Sequence, residues 1–382
     1  MKYKKIIIII ILSGIILFPM FMWLGWVFRS KKPLKILIVD KTVITKEAIE
    51  HRAFIWLLTH NKYVKENREF YSASEDYFGA FPQENNKYKI KDLRVFSEKQ
   101  IDSLSNYYQM LYYADTYGIH PGDGLNEDQK GADKIYSGLD ENDFLLLKKM
   151  KEKKKLIIAE FNFFANPTTE SVRKKTEDLF HLKWTGWTGR FFSSLDSTGN
   201  SELPDWVIKL YVARHHKKWN FLNSGIVLVN QDGDIAVLEN ETHLNTNMPV
   251  VSTDEYGRDK YDLPSKINYS YWFDITLSTD PTNKVISSYT LDVNARGDSV
   301  LKHHGIPKTF PAVIEHLDNY KFYYFCGDFG DAPVSNRFVN FKGIRCFEKM
   351  FLSDRNRLKF YWRFYYPMLK NILDEYYKTI KN

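Results

Sequence analysis

"LIIAEFNFFANPTTESVRKK", residues 156–175, decides how this chain is read. An isoleucine-rich apolar run of strand length breaks into a loop, and a helix follows over 168–180. A strand that is apolar on both faces belongs to a sheet covered by helices on both sides. The exception is Glu160, where that strand should end. A buried, unpaired carboxylate is held protonated at a cost of about 1.36 kcal/mol per unit of pKa. Such a residue is paired, exposed or used.

The same alternation extends outward. "LDENDFLLLKKMKEKKK" (139–155) is an amphipathic helix with acids in its first turn and lysines in its last, matching the helix dipole. "PLKILIVD" (33–40) reads as a strand ending in Asp40, followed by a helix over 45–58. A short helix over 97–104 leads to a strand within "YYQMLYYADTYGI" (107–119), with Asp115 at its end. Strands alternating with helices predict an α/β fold, a mostly parallel sheet with helices on both faces. The middle of the chain changes character. Residues 225–239 form two apolar runs around "NQDGD", a hairpin signature, and 283–294 reads as strand. A β-rich insertion is therefore expected at about 193–310. The stretch 61–96 carries no clear period. "NYKFYYFCGDFGD" (319–331) is a late strand running into a Gly- and Asp-rich loop that holds Asp328. A closing helix over 357–380 should kink near Tyr366, ahead of Pro367.

The formal charge of +7 has a local origin: residues 1–35 hold seven Lys and Arg and no acid. The remaining 347 residues balance at 47 of each sign, so no basic footprint for nucleic acid exists. Between the basic flanks, residues 6–28 carry no charge. As a helix they would be ~34 Å long, enough for a hydrocarbon core of ~30 Å. Trp23 and Trp26 would suit the headgroup boundary. The run is too long for a cleaved signal peptide and ends without a small-residue cleavage site. The expectation is a transmembrane helix within residues 1–32, a single-pass signal anchor contacting the lipid bilayer through 6–28. The body, 33–382, would then lie outside the cytoplasm. Cys326 and Cys346 are the only cysteines and set no disulfide framework.

"KILIVD", "KKLIIAEFNFFANPT" and "YKFYYFCGDFGD" before a last helix resemble the class I glutamine amidotransferase-like superfamily, its trehalose-utilisation-type and galactosidase-associated branches above all. The resemblance covers residues 33–192 and 310–380. It implies a nucleophilic Cys in the sharp turn after the central strand. Here that turn holds Asn162, Phe163 and Phe164, so glutamine hydrolysis is not expected.

In an open α/β sheet, ligands bind beyond the carboxyl ends of the strands. Glu160, Asp115 and Asp328 all fall there and form the candidate acid/base set. Trp184, Trp187 and Arg190, in "KWTGWTGRFF", form a candidate ligand platform of sugar-stacking rings and a carboxylate grip. No G-x-S-x-G, G-x-G-x-x-G, P-loop or H-E-x-x-H is present, so neither cofactor nor metal is expected. Two readings stand: a membrane-anchored protein binding a glycan or an envelope partner, and a carboxylate-dependent hydrolase acting on carbohydrate.

Overall fold

The structure is a computed structural model that describes residues 14, 17–84, 87–119, 136–198, 202–348, 350, 352–353 and 356–381. In chain order, β1 (Ile36–Asp40) leads to α1 (Ile49–His60), β2 (Phe78–Pro82), β3 (Tyr88–Lys91), α2 (Glu98–Tyr107) and β4 (Met110–Tyr113). Then come α3 (Glu141–Glu152), β5 (Leu156–Ala159), α4 (Glu170–Phe180), β6 (Leu182–Phe192), α5 (Asp205–His215), β7 (Gly225–Asn230) and β8 (Ile235–Glu239). β9 (Val250–Thr253), α6 (Glu255–Tyr261), β10 (Lys266–Asn268), β11 (Trp272–Ser278), β12 (Lys284–Thr290) and α7 (Ala295–His303) follow. β13 (Thr309–His316), β14 (Lys321–Phe325), a π-helical turn at Tyr361–Tyr365 and α8 (Tyr366–Lys381) complete the chain.

Ten strands form one sheet in the order β10-β9-β12-β13-β14-β5-β4-β1-β2-β3. Its five middle strands, β14 to β2, are mutually parallel. Antiparallel strands extend it at both edges. Every residue of β1, β4 and β5 is buried, which is why these segments are apolar without alternation. The order of the parallel strands reverses between β1 and β4, so right-handed crossovers send α1 to one face and α2, α3 and α4 to the other. On its face α1 meets the closing helix, Trp56 lying edge-on to Trp362 at 5.0 Å. α3 starts as its sequence predicts: Asp140 accepts the amides of Asn142 (2.8 Å) and Asp143 (3.2 Å) as N-cap.

β8-β7-β6-β11 form a second, antiparallel sheet, in which β7 and β8 are the expected hairpin. The β-rich segment supplies β7, β8 and β11 to this sheet and β9, β10 and β12 to the first, so it is woven into both. The unassigned stretch 61–96 contributes β2 and β3. Cys326 is buried and Cys346 exposed, and both are free thiols.

A helix runs through residues 17–27. Among the described residues no helix is long and apolar enough to cross a membrane. Residues 6–13, 15 and 16 of the expected span lie outside the described residues. Trp26 departs from its expected place at the headgroups. It is 8% exposed, donates its indole N–H to the His60 carbonyl at 3.0 Å, and carries the Lys62 ammonium over its ring at 3.5 Å. The end of the leading helix is thus part of the body's packing.

Candidate acidic cleft at the strand ends

Ligand crevices in doubly wound sheets open where the strand order reverses, here at the carboxyl ends of β1 and β4. β1 delivers Asp40 to that point. One Asp40 oxygen accepts the Thr42 amide at 3.0 Å, and the other lies 2.5 Å from Nδ1 of His51, in the first turn of α1. Nε2 of His51 faces the Ala73 carbonyl at 2.8 Å. A carbonyl only accepts, so Nε2 is the N–H that faces it. The Asp40–His51 contact is out of reach of water, both side chains being fully buried.

Glu50 precedes that histidine. Burial first, then the charges of Asp40, Asp331 and Asp115, push its carboxyl up to about 9. Its Oε2 is buried without a hydrogen-bond partner among the described residues. Asp115, just past β4, accepts the Tyr117 amide at 2.7 Å. Burial raises it to about 7, with the charge of Asp40 adding to the rise. Asp328 is raised well above the carboxylate range by burial and by the charges of Asp331, Asp115, Glu160 and Glu50. Asp328 and Asp331 line a pocket of about 20 Å³ together with Tyr269, Tyr271, Phe360 and Tyr361. That volume holds a water molecule or so.

Glu160 is buried, and its carboxylate is filled by the protein. One oxygen accepts the hydroxyls of Tyr112 and Tyr365, each at 2.7 Å, and the other accepts the Gly330 amide at 2.8 Å. Burial still lifts it to about 7 against these donors. Gly330 is required there, because a Cβ would meet the Glu50 carbonyl at 2.8 Å and Oε2 of Glu160 at 3.2 Å. After β5, Asn162 takes a left-handed φ of 68°, so a sharp turn does follow the central strand, with an amide side chain at its corner.

The structure thus brings Glu160 and Asp115 each within electrostatic reach of Asp328, and adds Glu50, Asp331 and the Asp40–His51 pair. A signal for Glu50 and His51 was present: they open the helix that follows the switch-point strand. Arg190 and Arg173 are engaged away from Glu160. The Arg190 guanidinium bonds Glu202 at 3.0 Å, and Arg173 lies over the Trp184 ring at 5.2 Å.

The aromatic platform is corrected. Trp184 and Trp187 lie on strand β6, and each is only 5% exposed. The Trp184 indole donates to the Trp187 carbonyl at 3.1 Å, and His304 packs edge-on against Trp187 at 5.5 Å. Neither ring is open for a sugar to stack on. Arg190 stacks over Tyr271 at 5.2 Å and so borders the pocket of Asp328. Among the described residues no group of three or more His, Cys, Asp or Glu is arranged to hold a metal ion.

No known family pattern matches the chain, and no curated protein matches it. Among solved structures, a ThuA-like protein from Bacteroides uniformis is similar at 10% identity, over 89% of this chain and 93% of that one, with a TM-score of 0.36.

Proposed function

We propose that the protein is a membrane-tethered, extracytoplasmic binding protein whose acidic cleft takes up a hydroxyl group of a glycan, or of an envelope partner, lying over its mouth. The observation that carries this reading is the electrostatic meeting of Asp328 with Asp331, Asp115, Glu160 and Glu50 beside Tyr269, Tyr271 and Tyr361. Carboxyl groups held near or above neutrality both donate and accept hydrogen bonds, as sugar hydroxyls require, and a pocket of about 20 Å³ admits one such hydroxyl from a ligand that lies over its mouth. Tethering is supported by the uncharged run of residues 6–28 between basic flanks. Exposed apolar side chains of the leading helix support it too: Phe18, Phe21 and Trp23 are 51%, 62% and 45% exposed.

A second reading, a carboxylate-dependent hydrolase on carbohydrate, is favoured by the spread of acidities in the cleft. Glu50 at about 9 is a proton holder, while Asp115 at about 7 is poised to exchange one. In that reading Asp115 and Asp328 carry the chemistry and Glu160 positions the loop that bears Asp328.

Full-length protein in detergent, titrated with neutral oligosaccharides, tests both. Binding that weakens about tenfold in Asp328→Asn supports the cleft. Release of reducing ends that is lost in Asp115→Asn and Asp328→Asn turns the reading to hydrolysis. Unchanged binding in Asp328→Asn rejects the cleft as the site. Membrane attachment is tested separately, by alkaline carbonate extraction and by protease treatment of intact cells. A body released by carbonate, or one shielded in intact cells, overturns the topology.

A further inference from the structure

The segment ahead of the closing helix lies alongside the leading one. Nδ1 of His60 meets the Val339 carbonyl at 2.8 Å, and the His60 carbonyl takes the Trp26 indole N–H at 3.0 Å. Lys342 donates its backbone amide to the Met22 carbonyl at 3.0 Å, and Phe347 reaches Phe18 at 5.6 Å. The chain from Val339 to Phe347 therefore runs antiparallel to the helix, along the ~12 Å from Trp26 to Phe18. Gly25 lets the two come close, since a Cβ there would meet the Lys342 side chain at 3.2 Å. Both segments leave large apolar side chains exposed: Phe18 and Phe21 on one, Phe338, Phe347 and Met350 on the other. A single exposed ring needs no cover, but several on two packed segments mark an interaction surface.

The charges beside this strip select what meets it. Residues 336–350 hold four Lys and Arg against one acid, Glu348, and of the four Arg345 is paired with Asp262 at 3.0 Å. At the base of the strip stand Arg29, Lys31 and Lys62, and their partners are neutral. Arg29 donates to the His60 carbonyl at 3.3 Å, Lys31 to the Arg68 carbonyl at 2.8 Å, and Lys62 lies over the Trp26 ring at 3.5 Å. Among the described residues no carboxylate makes an ion pair with any of these three, whereas the next two lysines, Lys32 and Lys35, pair with Asp374 and Glu66. An apolar strip with positive charge at its base suits an anionic lipid surface, where acyl chains take the rings and headgroup phosphates the cations. The strip also continues the uncharged run that begins at residue 6.

We propose that residues 338–350 lie with the leading helix in the interfacial layer of the bilayer, the phosphates of anionic lipids held by Arg29 and Lys31, so that the body is seated on the membrane rather than hung from it. Lys62, enclosed beside the Trp26 ring, adds its charge from behind. Lys342, exposed between the two segments, can lay its stem along the apolar strip and keep its ammonium at the headgroups. The seat presupposes the tether proposed above.

Cys346 supplies the probe, being exposed on the strip while Cys326 is buried. A nitroxide is attached to its thiol in the full-length protein, which is reconstituted into nanodiscs of phosphatidylcholine with or without phosphatidylglycerol. Collisions with oxygen, which partitions into lipid, are compared with those of a water-soluble nickel chelate. With phosphatidylglycerol present, the nitroxide is expected to meet oxygen several-fold more often than the chelate. Arg29→Gln combined with Lys31→Gln should raise the chelate's collision rate several-fold, as should high salt. Lys31→Gln alone, at an exposed position, should raise it in the same direction and covers the case in which the double variant misfolds. Protein that enters the nanodiscs but leaves Cys346 open to the chelate overturns the seat and spares the tether. Protein that stays out of them overturns both. A nitroxide held in lipid but indifferent to phosphatidylglycerol and to the substitutions overturns the phosphate contacts.

Discussion

The hydroxyl of Tyr365 donates to Glu160 at 2.7 Å, closing a loop of 205 residues between the last helix and the central strand. Tyr112 donates to the same oxygen, and the Gly330 amide to the other. One carboxylate therefore clasps three segments. Pro367 has no N–H for the Arg363 carbonyl, and the backbone passes through the π turn Tyr361–Tyr365 just before it. Tyr365 is the last residue of that turn. Tyr365→Phe should lose about 1–2 kcal/mol, and Glu160→Gln more, because the new amide points donors at donors. Urea unfolding measures both. Equal stability in Glu160→Gln and the parent would show that the clasp holds nothing.

The cleft acids, together with Asp143 buried against Lys41 and Asp274 buried against Tyr324, make stability fall as pH rises. In the unfolded chain such carboxyls titrate near ~4. In the folded protein Asp143 and Asp274 titrate at about 6, Asp115 and Glu160 at about 7, and Glu50 at about 9. Folded-state values above the unfolded ones mean that the native form holds protons which the unfolded form has released. Their contribution is full below about pH 4 and is lost as pH climbs through 6, 7 and 9. The melting temperature is expected to be higher at pH 5 than at pH 9. A higher value at pH 9 would refute the assignment.

Glu50→Gln should stabilise the protein. The substitution replaces a carboxyl that the fold holds protonated beside Asp40, Asp331 and Asp115, and that the unfolded chain would ionise, by a group with no proton to lose. Once the glutamate of the unfolded parent ionises, the gain is expected at about 1 kcal/mol or more, and it should shrink below pH 5, where the unfolded parent is protonated too. Ligand binding should weaken in the same variant, the usual relation between a strained site and its function. Denaturant curves at pH 5 and pH 9 check the sign. A loss of stability at both would mean that the charge is compensated.

The parallel strands were legible in the sequence because burial on both faces writes itself as an unbroken apolar run, as in β1, β4 and β5. The acids at the strand ends were legible for the complementary reason, being polar where the run stops. Trp184 and Trp187 were misread because Gly186 and Gly189, between and beside them, look like loop residues. In the structure Gly189 leaves room for Phe273, whose ring would lie 2.5 Å from a Cβ there. Close packing of strand on ring, not a turn, selects that glycine. Glu50 and His51 had a local signal, at the start of the helix after the switch-point strand, but the charge that acts on Glu50 from Asp331 comes from 281 positions further on, and no local period reports it.

The leading helix gives the last prediction. An anchor joined to its body by a slack linker could be cut off anywhere before residue 30 without effect. Here Lys342 donates its backbone amide to the Met22 carbonyl at 3.0 Å, and Phe18 meets Phe347 at 5.6 Å. Trp26 is buried beneath Lys62 and stacks on Phe70 at 5.8 Å. The twelve positions from Phe18 to Arg29 thus belong to the body, and a chain beginning at residue 30 would expose what they cover. Loss of a buried tryptophan alone costs about 3–5 kcal/mol. A chain beginning at residue 17 is therefore expected to melt well above one beginning at residue 30, with Trp26→Ala in the longer chain falling between them. Coincident melts for the two truncations would detach the helix from the fold.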